Sequence, residues 1–159
     1  MNYTRTKIIA EPVEVFVAER TSETTPTALP SLAEVNAGGS ATWKFFGATP
    51  QKGAKLPTDP YSATLADGTS AQLGMKITGE AIILYTDDAT ITLIEGFIDK
   101  CVDVIFRVVG GSKVYRLLRT GVVYKPELVF DTSEGNKITV TFQRDAKRYS
   151  DACSTATLA

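Results

Sequence analysis

Histidine is missing from the 159 residues of the chain, and cysteine occurs only at positions 101 and 153. Because histidine is the most common metal ligand and the usual proton carrier near neutral pH, its absence excludes His-dependent metal sites and nucleophiles that histidine activates. The two cysteines lack the close spacing of a metal site. Gly110-Gly111 is not followed by the helix pattern of a phosphate-binding loop. We therefore expect no enzyme, no catalytic or metal-binding residues and no cofactor.

Carboxylate pairs are the remaining enzymatic option among the 18 acidic residues. Asp87 and Asp88 precede a helix pattern, where negative charge stabilises the helix start. Asp131 and Glu134 lie in a turn-like stretch, DTSEGN, in which acidic side chains are usually solvated. Both pairs are therefore interpreted as structural.

Long apolar runs and a strong net charge are also missing. The longest apolar run has about four or five residues and is too short to span a membrane. The opening MNYTRTKIIAEPVEV lacks the apolar stretch of a secretory signal. A net charge of −1 gives no overall attraction to nucleic acid. With 43% hydrophobic and 22% charged residues, the chain has the composition of one globular domain over 1–159.

Alternating apolar residues predict a mainly β protein. Strands are predicted at 13–18, 41–46, 72–84 and 137–143, and a hairpin at 102–127 turns at Gly110-Gly111 and stops at Pro126. Two long loops, 19–40 and 47–71, separate the first strands, and Ser31 is placed to cap a helical turn at 32–35. The polar residues from about 146 to 159 are expected to form a mobile tail.

One segment changes period. Ile91, Ile94, Phe97 and Ile98 form an apolar stripe at helical spacing, which predicts a helix over about 87–99, although the β-branched ATITLI also fits a strand. The predicted fold is a β-sandwich or β-barrel with a single flanking helix and long inter-strand loops.

The strand at 72–84 has one dry and one wet face. The dry face carries Leu73, Met75, Ile77, Ala81 and Ile83, and the wet face carries Gln72, Lys76, Thr78 and Glu80. The last strand offers a similar polar face with Thr139, Thr141 and Gln143. Both strands therefore expose one side to water.

The hairpin is apolar or mixed on both faces. Ile105 and Val109 share a face with Asp103 and Arg107, so this face needs a cover. Apolar residues scattered along the two long loops indicate surfaces that order against something else. Because Arg and Tyr are enriched at subunit contacts, we predict such a contact with these candidates: Arg107, Tyr115, Arg116, Arg119 and Tyr124. The arginines and tyrosines also fit a nucleic-acid surface.

The two cysteines differ in their surroundings. Cys101 is flanked by Phe97, Ile98, Val102 and Val104, which predicts a small buried residue. Cys153 lies in the polar tail and is predicted to be exposed. A disulfide between them stays open.

The second half of the chain resembles a bacteriophage tail tube protein. The resemblance is carried by a strand, an amphipathic helix, a strand, a Gly-Gly turn and then KVYRLLRTGVVYKPEL. The opening VEVFVA, its Thr/Pro/Ala-rich loop and the aromatic patch WKFFG at 43–47 are similar to the beginning of that family. The resemblance covers most of residues 11–143.

The resemblance implies a virion protein that is assembled in the bacterial cytoplasm and has no membrane partner. Tail tube subunits form hexameric rings whose strands join into one inner β-barrel, and the stacked rings conduct genomic DNA. The tubes of type VI secretion and of contractile bacteriocins are similar. Implied partners are further copies of the chain and a sheath, terminator or baseplate protein. Gln72, Lys76, Thr78 and Glu80 become candidates for the lumen, and neighbouring subunits or the helix would cover the mixed face of the hairpin. The long loops would form ring-to-ring and subunit contacts, with these candidates: Leu32, Val35, Leu56 and Tyr61.

Two other classes are consistent with the sequence. One is a different tail component, either a terminator, which would cap a tube and not polymerise alone, or a β domain associated with the baseplate or sheath. The other is a stand-alone β-sandwich binding module, which requires an exposed aromatic platform. Its candidates are Trp43, Phe45 and Phe46.

Overall fold

A computed structural model describes residues 12–50, 53–85, 88–128 and 136–159. Within these ranges the chain forms nine strands in one antiparallel sheet and three short helices. The strands are β1 (Val13–Glu19), β2 (Lys44–Ala48), β3 (Ala54–Lys55), β4 (Thr58–Thr64), β5 (Ser70–Tyr85), β6 (Val102–Val108), β7 (Lys113–Glu127), β8 (Asn136–Ala146) and β9 (Cys153–Thr157). The helices are α1 (Leu32–Asn36), α2 (Asp88–Glu95) and α3 (Tyr149–Ala152). The predicted mainly β fold is confirmed, and the sheet is not closed into a barrel.

The long strand β7 divides the sheet into two layers. Residues 114–120 pair with β6, and residues 121–127 pair with β8. We call the first layer sheet A; it contains β2, β1, β6, the first half of β7 and β9. We call the second layer sheet B; it contains the second half of β7, β8, β5, β3 and β4.

The main core lies between the two sheets. Phe106 of sheet A and Phe142 of sheet B meet edge to face, with ring centroids 6.1 Å apart. Helix α2 closes one side of this core through the fully buried Ile94. The helix is shorter than the predicted 87–99, because it ends before Gly96, a residue that disfavours helix.

The opposite face of sheet A is covered by residues 20–43 of the same chain, which we call the strap. Its helix α1 begins with a capping box between Ser31 and Glu34, as the predicted cap required. The strap and sheet A form a second core of Phe16, Ala18, Val35, Trp43, Ile105, Val114 and Leu158. Around Ile105 the mixed face of the hairpin is therefore covered by the strap of the same chain, and the expectation that a neighbouring subunit or the predicted helix covers this part was wrong. Val109 and Val123 stay exposed, so the expectation of a covering subunit stays a prediction for them.

The prediction of a loop over 47–71 was also wrong, because this segment contains β3, β4 and the start of β5. Every residue of β4 except Ala63 is exposed, so no buried alternation marks this strand in the sequence. Pro60 also argued for a loop. The Thr78 amide of β5 donates to the Pro57 carbonyl, and from Pro57 onward every second residue is bonded to β5. The Pro60 nitrogen therefore points away from β5, where its missing N–H breaks no bond.

The C-terminal residues are not a mobile tail. Helix α3 and strand β9 occupy residues 149–157, and β9 pairs with β7 from Leu117 to Lys113. Leu158 is 5% exposed in the second core, and the Leu32 amide donates to the Ala159 carbonyl over 2.8 Å. The small polar residues of this segment are stabilised by pairing with β7, which local composition does not reveal.

The two cysteines have the reverse of their predicted environments. Cys101 is exposed, Cys153 is buried, and both thiols are free. Cys101 lies directly before β6, which begins at Val102, so it is outside the strand that packs in the core. Cys153 is drawn into the core by the pairing of β9.

Candidate assembly surfaces

The outer face of sheet B is the one large sheet face that no described segment covers with a second core. Alternation places on it Lys76, Thr78, Glu80, Ile82 and Leu84 of β5, and Thr139, Thr141, Gln143 and Asp145 of β8. Residues from β7 complete the face: Val123, Lys125 and Glu127. Small polar side chains occupy its centre.

Charges on this face are balanced across neighbouring strands. Lys76 lies opposite Asp59 on β4 and opposite Asp145 on β8. Glu80 pairs with Lys55 at 3.8 Å. The Tyr61 hydroxyl donates to Asp145 over 2.8 Å, and this bond raises the pKa of Tyr61. The face therefore has no continuous strip of one charge.

Three of the four predicted lumen residues lie together on this face, namely Lys76, Thr78 and Glu80. Gln72 does not join them. Pairing between β5 and β8 ends at Met75, and Gln72 lies beyond that point, where β5 pairs only with β4. Whether any of these residues faces a lumen stays a prediction.

Beyond the last β8 pair, residues 61–74 form a two-stranded projection that we call the β-arm. A bulge at Leu73 shifts the β4 register between Tyr61 and Ser62. Leu73 is 63% exposed and Leu65 is 48% exposed. The prediction that Leu73 belongs to the dry face was wrong, because the bulge interrupts the alternation of β5. An isolated two-stranded hairpin with exposed leucines is marginally stable, so the β-arm is suited to docking on a partner.

The other end of sheet B is also apolar. Leu84 near the end of β5 is 48% exposed, and Leu128 after β7 is 60% exposed. Leu73 and Leu84 are eleven positions apart on β5, which corresponds to about 36 Å along the strand. Sheet B therefore carries exposed leucines at both of its ends.

Both side edges of sheet B are open. Among the described strands, β4 pairs only with β5, and residues 121–127 pair only with β8. By alternation, the outward backbone groups on β4 are those of Thr58, Pro60, Ser62 and Thr64. The same alternation turns Val122, Tyr124 and Pro126 outward on β7. A proline thus occupies an outward position on each edge, where its missing N–H breaks no bond within the subunit.

Several predicted interface residues lie inside the subunit. Arg107 is 3% exposed; it forms an ion pair with Glu14 at 3.7 Å and donates to Asn36 over 2.7 Å. Val35 is 1% exposed. Leu32 packs against the second core, and Leu56 packs against the main core. Arg107 and Val35 therefore stabilise the fold of one chain, and their prediction as contact residues was wrong. Leu32 and Leu56, by contrast, are half-buried and keep some access to solvent, so their role as contact residues stays a prediction.

The remaining interface candidates keep some access to solvent. Tyr61 is 44% exposed, and Arg119 is exposed next to the free edge of β7. Tyr115 and Tyr124 are half-buried against the main core. Partial burial is the main cause that raises the pKa of Tyr124, and the neighbouring Glu95 carboxylate raises it further. Arg116 is half-buried, and its Nε has no hydrogen-bond partner among the described residues.

Asp103 forms a buried polar centre that the sequence did not reveal. Its side chain is fully buried and lies 3.1 Å from Nη1 of Arg20. The carboxylate also accepts bonds from the Thr27 amide over 2.9 Å and from the Arg119 amide over 3.0 Å. Burial alone would raise the pKa of Asp103, but these hydrogen bonds hold it below its usual value. The only sequence signal was an acidic residue within a mainly apolar strand.

The aromatic platform of a binding module is not formed. Trp43 and Phe46 are each 2% exposed, and the indole N–H of Trp43 donates to the Ala28 carbonyl over 2.8 Å. Phe45 is 36% exposed and packs on Phe16. Because two of the three aromatics are buried, the platform predicted for that class was wrong.

The described residues contain no cluster of three or more His, Cys, Asp or Glu side chains able to hold a metal ion. No described helix is long and apolar enough to cross a bilayer.

Comparison with solved structures gave a remote similarity. No family model and no curated protein match the chain. Among solved structures it is similar to the crystal structure of an Hcp protein, with a TM-score of 0.39 and 9% identity, covering 92% of this chain and 99% of the other. Similarity at this level does not establish a shared function, so the proposal below is based on the surfaces of the chain itself.

Proposed function

We propose that the chain is the subunit of a self-assembling tube in which sheet B faces the lumen. One observation carries this proposal: among the described residues, sheet B has an unpaired edge on each side and a polar outer face that no described segment covers. Open edges promote pairing with other chains, and proteins usually cover or blunt them. Here the edges flank the same sheet, so each subunit can offer one edge to each neighbour.

Lateral pairing of β4 with residues 121–127 of the next subunit would be a heterologous contact. Such contacts generate a ring when the rotation between subunits closes. A closed ring of sheets removes every free edge and forms one barrel. The outward prolines, Pro60 and Pro126, cannot donate in this ladder, so they limit the pairing to a short stretch of strand.

Axial stacking would use the two apolar ends of sheet B. The β-arm exposes Leu65 and Leu73 at one end, and Leu84 and Leu128 are exposed at the other. Contact between unlike ends is open-ended and therefore extends into a filament. Burial of these leucines would supply part of the driving force.

The detailed form of the proposal is a bacteriophage tail tube made of stacked six-membered rings that conduct genomic DNA. The balanced face of sheet B supports it, because a lumen rich in Lys or Arg would retain DNA by releasing counterions from the phosphates. The proposed location is the virion tail, with assembly in the bacterial cytoplasm. The proposed partners are other copies of the chain and a sheath, terminator or baseplate protein. No enzymatic activity is proposed.

Substitution at the β4 edge tests the lateral contact. Ser62→Pro removes an outward N–H and leaves the β4–β5 bonds intact, whereas Ser62→Ala keeps that N–H. We expect the wild-type chain and Ser62→Ala to sediment as rings or tubes, and Ser62→Pro to remain a folded monomer. Assembly of Ser62→Pro at the wild-type concentration would contradict the lateral contact. Single rings that do not stack would favour the tail terminator.

A further inference from the structure

Strand β7 passes from sheet A to sheet B at a β-bulge. Val102 pairs with Thr120 and Val104 pairs with Leu117, so Asp103 faces two residues, Leu118 and Arg119. Arg119 has a left-handed backbone with φ of 56°, a conformation that costs a non-glycine residue free energy. Bulges bend a strand and redirect its pairing. From residue 121 onward, β7 pairs with β8.

Asp103 binds the bulge at Arg119, and two other polar contacts flank it: Nη1 of Arg144 donates to the Leu118 carbonyl over 3.0 Å, and the Thr120 hydroxyl donates to the Val102 carbonyl over 3.4 Å. The Arg119 amide donates to Oδ1 of Asp103 over 3.0 Å. Oδ2 of the same carboxylate accepts from the Thr27 amide of the strap over 2.9 Å, and Arg20 completes the site with Nη1 3.1 Å from Oδ1. One fully buried carboxylate thus joins the strap to the bend of β7.

We infer that Asp103 is a positioning residue for assembly, which sets the bend at Arg119 and thereby the direction of the free edge at residues 121–127. This inference rests on the proposed function, because it assigns a role to that edge. In Asp103→Asn one uncharged oxygen replaces the two oxygens that accept from the Arg119 and Thr27 amides, so both amides can no longer be bound and the contact that holds the left-handed conformation is weakened. The edge would then sample several directions relative to sheet A, and lateral pairing would become less probable.

Asp103→Asn tests the inference through amide hydrogen exchange in the unassembled chain and through the assembled fraction. The control is Ile94→Ala, which opens a cavity under α2 and leaves the groups that bind Asp103 unchanged. In Asp103→Asn we expect exchange at the inward amides of Arg119, Gly121 and Val123 to rise about tenfold more than in the control, the factor expected for one lost bond to a buried charge. We also expect the assembled fraction to fall further than in Ile94→Ala. Equal effects of the two variants would overturn the inference.

Rescue by glycine separates positioning from a general loss of stability. Because glycine adopts positive φ without strain, Asp103→Asn/Arg119→Gly should recover much of the protection and assembly that Asp103→Asn loses. If Asp103→Asn alone does not fold, folding of the double variant supports the inference. Failure of both variants to fold, or absence of rescue, would overturn it.

The exchange experiment does not require assembly. If the wild-type chain stays monomeric, the proposed function fails, while local loosening at 119–124 would still establish the tie between Asp103 and the bend. If the wild type assembles but exchange at the bend is unchanged in Asp103→Asn, only the positioning role fails.

Discussion

Buried charges in this small protein connect segments that are distant in sequence. Asp103 links β6 to Arg20 and Thr27, and Arg107 links the same strand to Glu14 and Asn36. A buried ion pair contributes little net stability compared with apolar residues, but removing one partner is costly. At the residue scale these charges therefore fix where the strap lies on sheet A.

The lowered pKa of Asp103 gives a defined pH dependence. A carboxylate with a depressed folded-state pKa stabilises the fold fully above its unfolded value of about 3.9 and loses this contribution as pH falls through the folded value. Asp103→Asn should lower the free energy of unfolding by about 3 kcal/mol at neutral pH, with a difference from wild type that shrinks below about pH 4. Urea unfolding at a series of pH values measures it. A difference that is constant down to the acid transition would contradict the assignment.

Thiol reactivity should follow the observed exposure of the cysteines. Burial raises the pKa of Cys153, so less of it is thiolate, whereas Cys101 is exposed. We expect a thiol reagent to label one site rapidly in the native monomer and both sites after unfolding. Cys101→Ser should abolish the fast phase and Cys153→Ser should retain it. Rapid labelling of Cys101→Ser would show that β9 opens readily.

At the scale of elements, the C-terminal strand is a structural part of sheet A. Leu158 is buried beneath the strap, and its amide donates to the Ser112 carbonyl over 2.8 Å. The strap and β9 therefore stabilise one another, since both contribute to the second core. Truncating the chain before β9 would expose part of this core.

Leu158→Ala is expected to lower the free energy of unfolding by about 2 to 5 kcal/mol, the usual cost of a cavity in a packed core. Leu128→Ala, at a residue that is 60% exposed, should change it by less than about 0.5 kcal/mol. Chemical denaturation of the two variants measures the difference. Equal stability would show that the C-terminal residues do not pack as described.

Elements with a period visible in their own residues could be predicted from the sequence. The hairpin with its Gly110-Gly111 turn, the Ser31 cap and the core part of β5 are of this kind, and Gly110 has the positive φ that such a turn requires. Strand β4 and strand β9 were missed because their residues are polar or small, and long-range pairing stabilises them. The Asp103 centre was missed because its donors are backbone amides from distant segments, which leave no pattern of side chains.

At the scale of the whole molecule, sheet A and sheet B have different surroundings. The outer face of sheet A is covered by the strap, whereas that of sheet B is open and polar. This asymmetry suits a subunit that presents one sheet to a water-filled channel and keeps the other within its wall. The strap also explains why Ile105 lies on the second face of the hairpin without needing a neighbour.

Charge added to the proposed lumen should retain DNA. In assembled tubes, Thr78→Arg adds a cation at the centre of the sheet B face, while Gln72→Arg adds one in the β-arm, away from it. We expect both tubes to form, and only Thr78→Arg to bind double-stranded DNA more tightly, with a steeper dependence on salt. Equal binding by the two variants would remove Thr78 from the lumen.

Electron microscopy of the purified chain, across a range of concentrations, tests the central claim most directly. If sheet B forms the inner wall and its apolar ends stack, hollow tubes should appear with an axial repeat of roughly 30 to 40 Å, set by the length of β5 between its exposed leucines and by the tilt of the strands. Tubes with this repeat, lost in Ser62→Pro and kept in Ser62→Ala, are the result expected. A monodisperse monomer at every concentration, or filaments without a lumen that Ser62→Pro still forms, would contradict the account.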